Sequence, residues 1–171
     1  MNKVDVVLPE FDLNPIKFKL IYSDEGPSWS LDFCNLLEKE YRRFLALSKF
    51  YPSKTIVPSK IIDEFWHAHI LDTRKYAQDC EDYFGNFLHH FPYLGMRSEE
   101  DAEILKTVWS ETKEIYQLVF NEPMPELAKS SHADCANCFS SCGGNCGNEG
   151  IEGQESAVAG AIKPNWRPTL A

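Results

Sequence analysis

The sequence contains no apolar run that approaches the ~18 residues needed to span a bilayer, which predicts no membrane association. Basic residues are also fewer than acidic ones, 17 against 26, which gives a formal charge of −9. A surface this acidic repels phosphate backbones, so we expect no nucleic-acid partner. The first residues lack the basic and then apolar pattern of a secretory signal, which predicts a cytoplasmic protein with reduced thiols.

Familiar catalytic signatures are missing as well. The chain has no phosphate-binding glycine loop, no dinucleotide fingerprint and no nucleophile elbow. It also has no internal repeat and no strand-rich segment. The length of 171 residues and the 43% hydrophobic content suit a single core.

Apolar residues recur at helical spacing in three stretches, which predicts an all-α fold. We expect a compact helical bundle of three long helices plus short ones. The free thiols Cys34 and Cys80 fall on the apolar stripes of the first two helices and are predicted to be core residues. The aromatic residues at helical spacing are likewise predicted to belong mostly to the core. The three helices are expected between Ser30 and Tyr51, between Pro58 and Gly85, and between Ser98 and Pro123.

Composition divides the chain into three parts. Residues 1–27 form an N-terminal arm, for which the pattern leaves a short helix and an extended segment equally open. Residues 28–126 form the helical domain. Residues 127–171 have little periodic apolar spacing and much Gly, Ser, Asn and Ala, which predicts a disordered, flexible tail. The end of this tail, Ile162 to Pro168, is either a docking peptide that lies on the helical domain or a loose end.

Four cysteines lie close together in the tail. Thiolates select soft or borderline metals such as zinc, copper(I) and iron. The spacing lacks the long spacer that separates the two halves of an ordinary zinc finger. Two interpretations therefore stand side by side: a specific soft-metal site, and reduced thiols that bind metal only opportunistically or undergo oxidation or modification. The four residues are Cys135, Cys138, Cys142 and Cys146.

Histidines concentrate in the second predicted helix and just after it. On a regular helix His67 and His69 point about 200° apart, so they cannot both coordinate one ion. Asp63 shares a face with His67, and Asp72 shares a face with His69. Imidazole and carboxylate together suit zinc, iron or manganese. The alternative is that His69, on the apolar stripe, is a core residue whose ring nitrogens are hydrogen-bonded.

A further ligand would have to come from the turn at His89 and His90, or from another helix. The two histidines are adjacent, so at most one of them is expected to face inward.

The segment around these histidines resembles the glycine-rich domain-containing protein-like family, in particular its small bacterial-type members. The resemblance spans roughly Trp29 to Phe120 and implies a helical domain and a role for the Trp-His-x-His segment. It also implies that His90, rather than His89, is the functional residue of that pair. It implies no particular chemistry. The residues that carry it are Asp63-Glu64-Phe65-Trp66-His67-Ala68-His69-Ile70-Leu71-Asp72-Thr73, Tyr76, Cys80, Phe84-Gly85, Leu88-His89-His90 and Pro92.

We therefore expect a small metal-binding protein, with a soft metal at the tail cysteines, a divalent metal at the Trp-His-x-His segment, or both. Zinc, iron and copper are the candidate ions. The alternatives are a protein-interaction module without catalysis, whose tail contacts a partner, and a metal-dependent enzyme that uses the histidines and aspartates. The candidate metal ligands are His67, His69, His90, Asp63, Asp72, Cys135, Cys138, Cys142 and Cys146.

Overall fold

The computed structural model describes residues 6–24 and 26–127. This part of the chain contains five α-helices and no strand, so the predicted all-α fold is confirmed. None of these helices is long and apolar enough to cross a bilayer. The helices are α1 (Asn14–Tyr22), α2 (Leu31–Phe50), α3 (Lys60–Leu71), α4 (Thr73–Phe84) and α5 (Glu99–Phe120).

Helix α2 forms one side of the core and packs against α1 and α3. Its first turn is capped by Ser30, whose hydroxyl oxygen accepts a hydrogen bond of 3.2 Å from the backbone N–H of Phe33. The apolar stripe predicted from the sequence is the buried face of the helix. That face carries Cys34, Leu37, Tyr41, Phe44 and Leu45.

The N-terminal arm contains a helix, which decides between the two conformations that the sequence leaves open. Three apolar side chains around α1, those of Leu13, Ile16 and Leu20, are buried in the common core. Lys17 is buried too, and its ammonium forms an ion pair of 2.6 Å with Glu38 of α2. These contacts join α1 to the same core as the helices that follow it.

The prediction of one continuous helix between Pro58 and Gly85 is wrong. The structure divides this segment at Asp72 into α3 and α4. Asp72 has φ −84° and ψ 71°, outside the helical region. The break turns α4 back against α3. Residues ten positions apart on a straight helix are separated by about 15 Å along its axis. Here Trp66 Nε1 and Tyr76 Oη, which are ten positions apart, form a hydrogen bond of 2.9 Å.

Helix α5 begins at the predicted cap, where Ser98 accepts a hydrogen bond of 3.1 Å from the backbone N–H of Asp101. It lies at the edge of the core, with Thr112 and Tyr116 as its buried stripe residues. The Tyr116 hydroxyl donates a hydrogen bond of 2.6 Å to Glu40 of α2. The side-chain oxygen of Thr112 accepts one of 3.2 Å from the backbone N–H of Val57. These two hydrogen bonds join α5 to α2 and to the segment before α3.

Candidate metal centre

Three side chains from two segments converge beside α3. Asp63 and His67 are four residues apart on the helix, so they lie on one face, as predicted. His90 comes from the segment that follows α4. His90 Nε2 lies 3.0 Å from Asp63 Oδ1 and 3.2 Å from His67 Nε2. His67 Nε2 lies 3.7 Å from the other carboxylate oxygen, Asp63 Oδ2.

These separations match those of ligands around a small divalent ion. Two ligand atoms that each lie about 2.05 Å from a tetrahedral zinc ion are about 3.3 Å apart. One ligand atom from each of the three residues lies within 4.8 Å of the other two. Two imidazoles and one carboxylate are also the protein ligands of open zinc sites and of the facial triad of non-haem iron(II). The residues thus fit a three-ligand centre with at least one position left for another molecule.

A buried chain of hydrogen bonds positions the segment that carries His90. The indole N–H of Trp66 donates to the hydroxyl of Tyr76, and this hydroxyl donates a hydrogen bond of 2.6 Å to the carbonyl of Leu88. Burial raises the pKa of Tyr76 well above its ordinary value, so the hydroxyl keeps the proton that it donates. Gly85, with φ +74°, ends α4 in the left-handed conformation that glycine adopts without strain. The chain therefore reverses direction just before His90.

The imidazole of His90 also packs against Trp66, with ring centroids 4.7 Å apart and an interplanar angle of 65°. Its side chain is 17% exposed, whereas that of His67 is 48% exposed. The centre therefore has one sheltered ligand and one at the protein surface. A metal ion there would be reached from solvent without rearrangement of the core.

An open cleft of about 500 Å³ lies beside the centre, and both Asp63 and His90 line it. This volume is within the range of sites that hold small organic ligands. The remaining walls come from the connection between α2 and α3, from α3 itself, from the segment after α4 and from α5. They are Thr55, Ile56, Val57, Pro58, Lys60, Trp66, His89, Phe91, Pro92, Leu94 and Leu105.

His69 lies on the other side of α3, inside the core, and is 1% exposed. Its Nδ1 lies 3.0 Å from the hydroxyl of Tyr41, and its Nε2 lies 2.9 Å from the carboxylate of Asp79. Burial lowers the pKa of His69, although Asp79 opposes the shift, and burial raises that of Tyr41. A neutral His69 that donates from Nε2 to Asp79 and accepts at Nδ1 from Tyr41 satisfies all three groups.

Both ring nitrogens of His69 are thus occupied by hydrogen bonds, and the structure does not bring this residue to the cluster. Asp72 lies at the break between α3 and α4, and the cluster does not contain it either. Among the described residues, the cluster contains His90 and not its neighbour His89.

The tail cysteines Cys135, Cys138, Cys142 and Cys146 lie outside the described residues, as does the segment from Ile162 to Pro168. The two cysteines that are described, Cys34 and Cys80, are free and buried, as predicted. Burial raises the pKa of the Cys34 thiol to about 12, so it is a poor metal ligand and a poor nucleophile.

A family profile described as UCP032817-like matches residues 5–122. The chain belongs to this family. The matched region of this UCP032817-like protein covers all five helices, together with Asp63, His67 and His90. Comparison with curated proteins and with solved structures finds no match. The family description names no activity.

The sequence reasoning missed one residue that faces the same cleft, namely Lys60. Lys60, Asp63 and His67 are spaced by three and then four residues, so they form one row along α3. This spacing is visible in the sequence and would have drawn attention to the lysine. The wall residue Leu105, from α5, has no comparable signal because only tertiary packing brings it to the cleft.

Proposed function

We propose that this protein binds a divalent metal ion, zinc or iron(II), through Asp63, His67 and His90. The observation that carries the proposal is that these residues, which come from two segments of the chain, each place one ligand atom within 4.8 Å of the other two. The resemblance of the Trp-His-x-His segment to the glycine-rich domain-containing protein-like family also supports a role for this segment. We propose the tail cysteines as a second site, for a softer ion such as copper(I) or zinc.

The test must separate the two sites. The full chain with Cys135, Cys138, Cys142 and Cys146 replaced by serine retains the histidine cluster and loses the tail thiolates. Isothermal titration calorimetry of this chain with zinc is expected to show one equivalent of zinc bound. Replacement His90→Ala should weaken zinc binding by at least about tenfold, because an open site needs all three protein ligands.

His89→Ala is the matched control for this experiment. His89 is the neighbouring residue and lines the same cleft, but it does not belong to the cluster. The proposal predicts unchanged zinc affinity in His89→Ala. Equal losses in the two variants, or no zinc bound by the serine-substituted chain, would contradict the proposal.

A second candidate function is a metal-dependent enzyme, and the cleft favours it. Three protein ligands leave a coordination position for water, and a bound divalent ion can lower the pKa of that water enough to make it a nucleophile near neutral pH. Asp63 and His90 line a cleft large enough for a small organic molecule, so such a water would face a bound substrate. Hydrolysis of activated esters by the zinc-loaded chain, lost in His90→Ala and after chelation of the metal, would support this function.

A further inference from the structure

We propose that the cleft beside the metal centre binds a small apolar monocarboxylate, with one carboxylate oxygen on the metal ion and the other at the ammonium of Lys60. The inference rests on the proposed function, because the metal ion supplies one of the two positive groups. It goes further in naming the class of ligand and the residue that selects it.

The charge of the cleft favours an anion only when metal is present. Its charged side chains, apart from the histidines, are Lys60 and Asp63, and their charges cancel. A divalent ion at the centre makes the local charge +2, within a molecule whose formal charge is −9. An anionic group is therefore attracted to this spot in the metal-bound protein and much less in the metal-free protein.

Lys60 is placed to share that anion with the metal. It is the first residue of α3, one turn before Asp63 in the row that leads to His67. Among the described residues its ammonium has no ion-pair partner, unlike Lys17 and Lys75, whose ammonium groups are each paired with a carboxylate. Because Lys60 is free to reorient, its ammonium can donate to a carboxylate oxygen without breaking an existing contact.

The walls of the cleft select a ligand with an apolar body. Away from Lys60 and the metal cluster they are mainly aromatic and aliphatic, with Trp66, Phe91, Leu94 and Leu105 among them. A monocarboxylate has two oxygens, which match the two positive groups. A phosphate or sulfate has more oxygens, and those that face apolar walls would lose their hydrogen bonds to water without replacement. The lining thus favours an aryl- or alkyl-substituted carboxylate over an inorganic anion.

The test uses phenylacetate as the probe and the full chain with serine at the four tail cysteine positions. Calorimetric titration of the zinc-loaded protein is expected to show one phenylacetate bound. The neutral isostere phenylacetamide should bind at least about tenfold more weakly, because it lacks the charge that pairs with Lys60 and the ion. The metal-free protein should show a similar loss.

Lys60→Met retains the aliphatic stem of the side chain and removes its charge. It should weaken phenylacetate binding by at least about tenfold while zinc affinity stays within about twofold. Lys106→Met is the matched control, because Lys106 is 72% exposed on α5 and pairs with Glu103 outside the cleft. It should leave both affinities unchanged.

The outcomes separate the two proposals. Zinc binding without phenylacetate binding, or equal phenylacetate affinity in Lys60→Met and Lys106→Met, would overturn the carboxylate site and leave the metal centre standing. Equal affinity of phenylacetate for the metal-free and zinc-loaded protein would also overturn it. Absence of zinc binding would overturn both.

Discussion

At the scale of single residues, two histidines separated by one alanine have opposite surroundings. His67 is half exposed, and its Nε2 lies 3.7 Å from a carboxylate oxygen of Asp63 and 3.2 Å from Nε2 of His90. His69 is buried, with both ring nitrogens hydrogen-bonded inside the core. The difference follows from helix geometry, since a displacement of two residues rotates a side chain by about 200°. A buried, fully bonded imidazole offers no lone pair to an ion.

A second residue with a special environment is Asp101, near the start of α5. The guanidinium of Arg97 holds the pKa of this carboxyl at about 2, below the ordinary 3.8, with help from the backbone N–H groups of Arg97 and Gly95. A carboxyl whose pKa is lower in the folded state stabilises the fold above its unfolded pKa, and this contribution disappears as the pH falls toward the folded pKa.

We therefore expect Asp101→Asn to reduce the free energy of unfolding above about pH 4, and the difference from the parent to shrink as the pH falls from about 4 to about 2. Urea unfolding at a series of pH values measures this difference. Arg97→Met should remove most of the same pH dependence, because the guanidinium is its main cause. A difference between parent and Asp101→Asn that is constant over this range would contradict the assignment.

At the scale of helices, the sequence predicts regular elements well and the break between α3 and α4 poorly. The apolar stripe of α2 is unambiguous because it repeats over twenty residues between two clear ends. Across the break, His69, Thr73, Tyr76 and Cys80 keep helical spacing, so periodicity alone shows no interruption. The remaining signal is Asp72-Thr73, a pair of weak helix formers.

The same distinction applies to the candidate site. The pairing of Asp63 with His67 follows from a spacing of four residues and could be predicted. The position of His90 depends on the reversal of the chain after Gly85 and on the hydrogen bonds of Tyr76, and the cleft walls depend on tertiary packing. These contacts join positions far apart in sequence, so no local pattern encodes them.

The hydrogen bonds of Tyr76 give a prediction for this element. Tyr76→Phe leaves the indole N–H of Trp66 without its acceptor and the Leu88 carbonyl without its donor. Unsatisfied buried polar groups are costly, so we expect a loss of about 2 kcal/mol in the free energy of unfolding. Zinc affinity should fall by about tenfold as well, because the segment that carries His90 is less firmly held.

Tyr93→Phe serves as the control for this prediction, since Tyr93 is 59% exposed and belongs to the same region of the chain. Chemical denaturation and zinc titration of both variants provide the two measurements. Normal stability in Tyr76→Phe would show that its hydroxyl does not organise the segment.

At the scale of the whole molecule, the core and the candidate site use different parts of the helices. The buried cluster draws on α1, α2, α3 and α4 and includes Trp66. The candidate ligands lie on the outer side of α3 and on the segment beyond α4. Trp66 belongs to both, because it packs in the core and contacts His90. Binding at the centre should therefore affect the stability of the whole fold.

Zinc at about one hundred times its dissociation constant should raise the free energy of unfolding by about 2.7 kcal/mol, provided that the unfolded chain does not bind it. The gain is expected in the chain with serine at the four tail cysteine positions and in His89→Ala. It should fall to about 1.4 kcal/mol or less in His90→Ala, whose zinc affinity is at least about tenfold lower, and disappear after chelation. Thermal unfolding with and without zinc measures it. A zinc-induced gain of the same size in His90→Ala would place the ion elsewhere.

The reversal after α4 also has a consequence for the order of folding. Asp63 and His90 are 27 positions apart, and the helices between them contact each other directly. Closing a loop of this length costs less chain entropy than joining segments that are farther apart, and contacts that are local in sequence form quickly. We expect α3, α4 and the segment that carries His90 to assemble as one early unit, before α5 docks. The metal ligands would then come together while the rest of the domain is still forming.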